Sequence, residues 1–487
     1  MATAVALATA LAGALAAAPS SVAQRLPAPA PLVSDWQYLS AGVTPPTQAD
    51  CASVGRRCFS PSAMQNSYNV GPLHARGYTG EGRTIAIFDS FGYDTVADDL
   101  KVFSQQFGLP LMCGMPGVTC TSGMPTFRHI EYNGDTQVKA PPPGSNGTGQ
   151  QQRNLWALEV ALDVQSAHAI APGANILLVT TNPAETLGVQ GFTTMMNAEQ
   201  YVIDNDMADV ITQSFGAGEE TFKGGTSALQ NLRHAFESAQ SNGVTVFASS
   251  GDGGTTNTYK EPVKNPKPIP FPSVEWPASD PLVVGVGGTY LCTDGLTGTH
   301  VDSAAPPAPC QSNPGVREVG WTFSGGGFSH VFAKPSYQDT LPAGSTPIGS
   351  MRGVPDVGYD ASATTGVYVY DTSPADASGG LVCPSGDPCS AGWYVVGGTS
   401  ASSPQWAALT AIGAQIAGHR LGDIHQALYD LADSPQYATY FYDVTKGNNT
   451  TSDIPGYPAT KGWDPVTGLG TPVNAAALVP ALAAAAG

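Results

Sequence analysis

The chain has 487 residues with 38 acidic against 20 basic side chains, a formal net charge of −18. That length can bury a sizeable core, and that charge balance argues against nucleic acid or an anionic membrane surface as partner. No apolar run after the first residues is long and charge-free enough to span a bilayer, and the C-terminal "AAALVPALAAAAG" is too short.

The opening "MATAVALATALAGALAAAPSSVAQ" is apolar and alanine-rich, and Ser21-Val22-Ala23 follows a small-x-Ala cleavage pattern. Although a basic leading region is missing, residues 1–23 read as a secretory signal. Residues 24–60, with "RLPAPAPLV" and "AGVTPPTQAD", read as a Pro/Ala-rich linker or propeptide remnant, so regular structure is expected from about Pro61. From there apolar β-type runs at 83–90, 174–181, 208–215, 244–251 and 282–289 alternate with helical patterns at 94–107, 152–169, 188–204 and 226–241. Continuous Val/Ile/Leu runs alternating with helices predict an α/β fold, a parallel sheet flanked by helices on both faces, in one catalytic domain over 61–487.

The eight cysteines fall into close pairs, Cys51/Cys58, Cys113/Cys120, Cys292/Cys310 and Cys383/Cys389. Four local disulfides in an oxidising compartment are the simplest arrangement, and the absence of C-x-x-C or a histidine at ligand spacing disfavours zinc.

In a parallel sheet, reactive groups collect at the carboxyl ends of the strands. Ser214, Asp252 and Ser400 all follow such runs. In "VVGGTSASSPQWAAL" a proline, Pro404, is expected in the first turn of an alanine-rich helix, which would put Ser400 at its N-terminus. As an isolated motif this is an ordinary helix cap. A hydrolytic serine needs a base, and none of the eight histidines sits in an H-G-T setting; "TGTHVDS" is the nearest string. Glu159 and Asp163, four apart in "NLWALEVALDVQSAHAIAPGA", lie on one helical face amid apolar neighbours. Two carboxyls there are costly without a purpose, because desolvation and repulsion both raise their pKa values. In "QSFGAGEE", Ser214 and Gly216 are expected to line a substrate cleft, since glycine lets a peptide backbone approach. Asp443 and Asp464 lie in glycine-rich loops that could offer a Ca²⁺ ion an all-oxygen environment.

Together, "GGTSASSP", "LEVALDVQ", "SSGDGG" and "DVTKGNN…KGWDPVTGLGTP" resemble the sedolisins, serine-carboxyl peptidases with a subtilisin-like fold, over roughly residues 65 to 475. The resemblance implies Ser400 as nucleophile, Glu159 as general base, Asp163 as its partner and Asp252 as the acid of the oxyanion site. It also implies one structural Ca²⁺ held by the carboxylates of Asp443 and Asp464 and the carbonyls of Val444, Thr460 and Gly462. The chemistry is coherent: a free histidine, pKa about 6.5, is protonated in acid, whereas a glutamate near about 4.3 can still accept a proton. A neutral Asp252 could donate to an oxyanion, which an ionised one would repel.

The expectation is therefore a secreted, extracellular, acid-active serine endopeptidase acting on proteins or peptides, monomeric, with no nucleic-acid or membrane partner. The alternatives are a subtilisin-type neutral protease and a catalytically silent secreted binding protein on the same scaffold.

Overall fold

The computed structural model describes residues 30–33, 35–134, 136–137, 149–181, 189–222, 225–257, 268–373, 391–452 and 454–486. Its centre is the run "TIAIFDS", apolar on both faces of the pleat and buried from Ile85 to Ser90, as a strand covered on both sides must be. Numbered in chain order, the strands of the main sheet and of two three-stranded sheets are β1 (Ala30–Pro31), β2 (Asp35–Ser40), β3 (Thr84–Ser90), β4 (Phe127–Asn133), β5 (Thr136–Gln137), β6 (Asn175–Thr181), β7 (Val210–Gln213), β8 (Phe215–Gly218), β9 (Thr245–Ser249), β10 (Glu275–Trp276), β11 (Val284–Leu291), β12 (Glu318–Gly320), β13 (Val357–Asp360), β14 (Val367–Asp371) and β15 (Gly392–Gly397). Seven of them run parallel in the order β13-β11-β9-β7-β3-β6-β4, and β12 and β5 join antiparallel at the two flanks.

The helices include α1 (Gln48–Ser53), α2 (Val96–Phe107), α3 (Gly149–Ile170), α4 (Val189–Asp204), α5 (Thr226–Gln230), α6 (His234–Ser241), α7 (Thr399–Ala417) and α8 (Ala475–Ala485). The pattern expected as one helix over 226–241 is thus two, broken by a turn at 231–233. Helix α3 is buried on all sides from Trp156 to Ile170, the mark of a helix inside the molecule, and α7 packs against it. Helix α7 is tied to the sheet by the Thr212 and Ser403 hydroxyls at 2.8 Å and by Trp406 Nε1 donating to the Gly358 carbonyl at 2.9 Å.

Regular structure begins well before Pro61. Strand β2 pairs antiparallel with β15, whose other neighbour is β14, and α1 opens with a capping box in which Thr47 and Asp50 satisfy each other's backbone N–H. The proline-rich composition hid these elements because β2 is stabilised by a partner more than 350 residues away, not by local periodicity. Disulfides join Cys51–Cys58, Cys113–Cys120 and Cys292–Cys310. Cys383 and Cys389 lie outside the described residues, as do residues 1–29. Among the described residues no helix is long and apolar enough to cross a membrane.

Candidate active site

Helix α7 starts directly after β15. Gly398 is its N-cap and Ser400 its second residue, so Ser400 stands at the positive end of a 19-residue helix. Pro404 falls in the second turn, not the first as expected, and withholds the N–H that the Ser400 carbonyl would otherwise receive. Ser400 is fully buried, and its Oγ has no formed hydrogen bond among the described residues.

Facing it is α3. Glu159 and Asp163 are each 0% exposed, one turn apart on that helix. Burial, and then the charge of Asp163, push the Glu159 carboxyl well above its ordinary pKa. The Ser400 hydroxyl and the Val33 N–H oppose that rise, and Asp252 adds to it. Val33 N–H donates to Glu159 Oε2 at 2.6 Å, whereas the Ser400 hydroxyl is near the carboxyl but short of a formed bond. Such looseness is usual in a site without substrate. Asp163 is raised by burial and then by the charge of Asp89, with the Ser214 hydroxyl opposing.

Asp89, the penultimate residue of β3, is the group sequence reasoning missed. It is fully buried, and burial followed by the charge of Glu159 holds its carboxyl well above the usual range. Neither of its oxygens, nor either oxygen of Asp163, is hydrogen-bonded among the described residues. Three carboxyls therefore share one buried field and titrate as a set. The signal was available in "IAIFDS": a carboxylate at the carboxyl end of a strand otherwise apolar on both faces. The cluster also changes one expectation, because Glu159 does not keep the acidity of a free glutamate.

Asp252 approaches from the end of β9. Its Oδ1 accepts both the backbone N–H and the hydroxyl of Thr399, each at 2.8 Å, and the Thr399 hydroxyl also receives the Gly251 N–H at 3.1 Å. Gly398 makes the approach possible. Its φ is +132°, and a Cβ there would lie 2.7 Å from Asp252 Oδ2 and 2.7 Å from the Leu32 carbonyl oxygen. The Ser214 carbonyl receives the Leu32 N–H at 3.2 Å, and Gly216 stands opposite Ala30 in the antiparallel β1–β8 pair. Ser214 and Gly216 thus both meet the segment 30–32, whose Leu32 carbonyl lies beside Gly398, two residues before Ser400.

Three histidines are engaged elsewhere: His129 with Thr180, His168 with the Pro110 carbonyl, and His425 with Asp423 and Asp356. The sequence has N-x-T sequons at Asn146, Asn448 and Asn449. Asn449 is fully buried with its amide donating to the carbonyls of Ser324, Gly326 and Pro465, a structural role that excludes glycosylation in the folded chain.

A second acidic site lies in the C-terminal loops. Asp464 is fully buried and accepts N–H groups from Thr460 at 2.9 Å, Val466 at 2.8 Å and Thr467 at 2.9 Å. Burial still raises it to about 7, the charge of Asp443 adding to the effect. Asp443 Oδ1 accepts the Gly462 N–H at 2.9 Å. Among the described residues no hydrogen bond ends on the carbonyls of Val444, Thr460 or Gly462. Among the described residues no group of three or more His, Cys, Asp or Glu side chains is placed to hold a metal ion. Two carboxylates and spare backbone carbonyls nevertheless suit a hard cation that takes oxygen ligands.

Comparison with known proteins bears on the fold and the family. Residues 148–419 match the Peptidase_S8 model of the subtilase family. Kumamolisin of Bacillus sp. (strain MN-32) is 28% identical over 88% of this chain and 64% of its own length. Sedolisin of Pseudomonas sp. (strain 101) is 30% identical over 81% of this chain and 57% of its own length. The chain therefore spans less than two thirds of the length of these curated relatives. In structure it is similar to Pseudomonas sedolisin, a serine-carboxyl proteinase solved with two molecules of pseudo-iodotyrostatin, with a TM-score of 0.63, 24% identity, and coverage of 87% of this chain and 97% of that one. Subtilisin-like α/β fold, matched motifs and matched relatives converge: the chain belongs to the subtilase family, on its sedolisin-like branch.

Proposed function

We propose that this protein is an exported, acid-active serine-carboxyl endopeptidase. The observation that carries the reading is the meeting of Ser400 at a helix N-terminus with the buried Glu159–Asp163 pair, with Asp252 bound to the residue preceding Ser400. Ser400 Oγ attacks the scissile carbonyl while Glu159 takes its proton, and Asp163 shares the charge that Glu159 gains or loses. Asp252 accepts from Thr399 through Oδ1, and in its protonated form the carboxyl donates, with the Ser400 N–H, to the oxyanion. Glu159 returns the proton to the leaving amine, and water repeats the sequence on the acyl-enzyme. Burial and the charge of Asp163 raise the Glu159 carboxyl, so that once ionised it is a stronger base than a free glutamate.

A Ca²⁺ ion would be held by Asp443 and Asp464 with the carbonyls of Val444, Thr460 and Gly462. When bound it supplies positive charge to a buried carboxylate pair and fixes two loops, outside the reaction itself. Residues 1–23 serve as the export signal, and the three disulfides suit an oxidising destination.

The test is hydrolysis of denatured protein from about pH 2 to pH 9, with wild type beside Ser400→Ala and Glu159→Gln. Activity in acid that both substitutions reduce by at least about 100-fold supports the mechanism. Activity that survives Glu159→Gln names a different base, and a maximum near neutrality favours a subtilisin-type enzyme.

A further inference from the structure

Strand β3 alternates between two faces until its end. Ile85 and Ile87 join the apolar cluster that holds Leu158 and Leu162 of α3, whereas Ala86 and Phe88 join the one that holds Phe192 and Met195 of α4 on the opposite face. Asp89 falls on the α3 face, where its charge acts on Asp163 and the charge of Glu159 acts on it. An extended chain would put Phe91 on that same face, because the side chains of a strand repeat every second residue. It does not: Phe91 is 4% exposed and belongs to the α4 cluster with Phe88. The cause is its backbone. Phe91 has φ +64°, in the left-handed region that a bulky side chain rarely adopts. Hydrogen bonds fasten the turn at this point. The Phe91 N–H and the Ser90 hydroxyl both donate to the Thr181 carbonyl, at 3.0 Å and 3.1 Å, and the Gly92 N–H donates to the Ser90 carbonyl at 2.8 Å.

We propose that Phe91 is a positioning residue of the active site, whose left-handed backbone sends its ring to the α4 side and so keeps the α3 face free for the Asp89 carboxyl; this rests on the function proposed above. An extended residue 91 would drive an apolar side chain into the space where Asp89, Glu159 and Asp163 share one buried field, and Asp89 would have to give way. Strained conformations persist only where the surroundings over-determine them, and they gather at functional sites. A glycine would take this φ freely. A phenylalanine uses the burial of its ring to hold the same turn shut. The titratable groups that would feel a change here are Glu159 and Asp163 on α3, with Asp252 beyond them acting on Glu159. From β6 the residue in register with Asp89 is Thr180, whose hydroxyl lies 2.8 Å from His129 Nε2.

The experiment separates backbone from ring. Phe91→Gly loses the ring but keeps the left-handed turn without strain, whereas Phe91→Val, being β-branched, favours the extended backbone and turns its side chain toward Asp89. The pH dependence of kcat/KM on a denatured protein substrate is measured for both beside wild type, Asp89→Asn and the double variant Phe91→Val/Asp89→Asn, with melting temperatures from the same samples. Phe91→Gly should keep the acid limb of wild type while melting earlier. Phe91→Val should move that limb to lower pH by about half a unit to one unit, as Asp89→Asn does, and the double variant should move it no further. Where Phe91→Val does not fold, Phe91→Ala, which differs from Phe91→Gly by a methyl group, should show the same displacement to a smaller extent. A limb displaced in Phe91→Gly, or unmoved in the folded valine or alanine variant, makes Phe91 a packing residue and overturns the inference. A wild type inert on the substrate defeats the proposed function alone. The crystal structure of Phe91→Val then decides the inference: a side chain at 91 on the Asp89 face upholds it, and one still in the α4 cluster overturns it.

Discussion

Asp252 Oδ1 accepts two hydrogen bonds from the single residue Thr399, at 2.8 Å each, and so places its other oxygen beside the helix terminus that carries Ser400. A neutral amide can keep that geometry without ever ionising; a methyl group cannot. Asp252→Ala is expected to lower kcat by about 100- to 1,000-fold with little change in KM, the usual cost of removing an oxyanion donor. Asp252→Asn should retain more activity and lose less of it as pH rises. Paired pH profiles of the two variants check both statements, and equal losses at every pH would contradict them.

Asp89 bears on the reaction through Asp163 and Glu159. Its charge helps to raise Asp163, and the charge of Glu159 helps to raise Asp89. Removing one negative charge makes ionisation of the others easier. Asp89→Asn should therefore move the acid limb of kcat/KM to lower pH by about half a unit to one unit, with a loss in kcat smaller than about tenfold. An unmoved limb would mean that Asp89 is only a packing residue.

Stability should fall from weakly acidic to alkaline pH. Asp99 is raised by burial to about 7 against the opposing hydrogen bonds of Thr372, and Asp371 is raised by burial to about 6. A carboxyl raised in the folded state contributes fully below its unfolded pKa, and that contribution is lost as pH rises through the folded value. Burial disfavours a charged His425, but the Asp356 and Asp423 carboxylates outweigh it and hold the imidazole at about 9, so its contribution is full below about 6.5 and is lost as pH rises through 9. Asp356, whose burial is overcome by Arg352 and His425, lies far below the usual carboxylate range and withdraws support only in strong acid. Melting at pH 5 should exceed that at pH 8 by on the order of 5 °C, and Asp99→Asn should flatten the slope. Calorimetry across that range decides it.

Chelation should lower the melting temperature by about 3–6 °C if a calcium ion ties the C-terminal loops. Asp464→Asn should melt at the lower temperature already and respond no further. Thermal unfolding with excess EDTA, and again after calcium is restored, gives the answer; a wild type indifferent to EDTA would count against the site.

Much of the centre was legible because its signals are local. Buried parallel strands announce themselves as unbroken apolar runs, and Glu159 and Asp163 stand out as two carboxyls on a helix with nowhere wet to face. Asp89 was harder, since one polar residue at a strand end looks like the start of a turn. Strands β1 and β2 were not legible at all: both are short, one is proline-rich, and both are fixed by partners on β8 and β15 that no window of sequence contains. The placement of Pro404 was missed by one turn, because a helix boundary depends on where Gly398 takes its positive φ, and two glycines precede Thr399.

The proposed nucleophile and base, Ser400 and Glu159, sit on α7 and α3, two helices packed against each other in the interior. Their spacing is thus a property of core packing and owes little to any surface loop. Warming that merely loosens the rim leaves the reacting atoms in place. Catalytic failure and global melting should then be one event, with the two curves superimposed, and the packing between the two helices becomes the dial by which selection adjusts reaction rate.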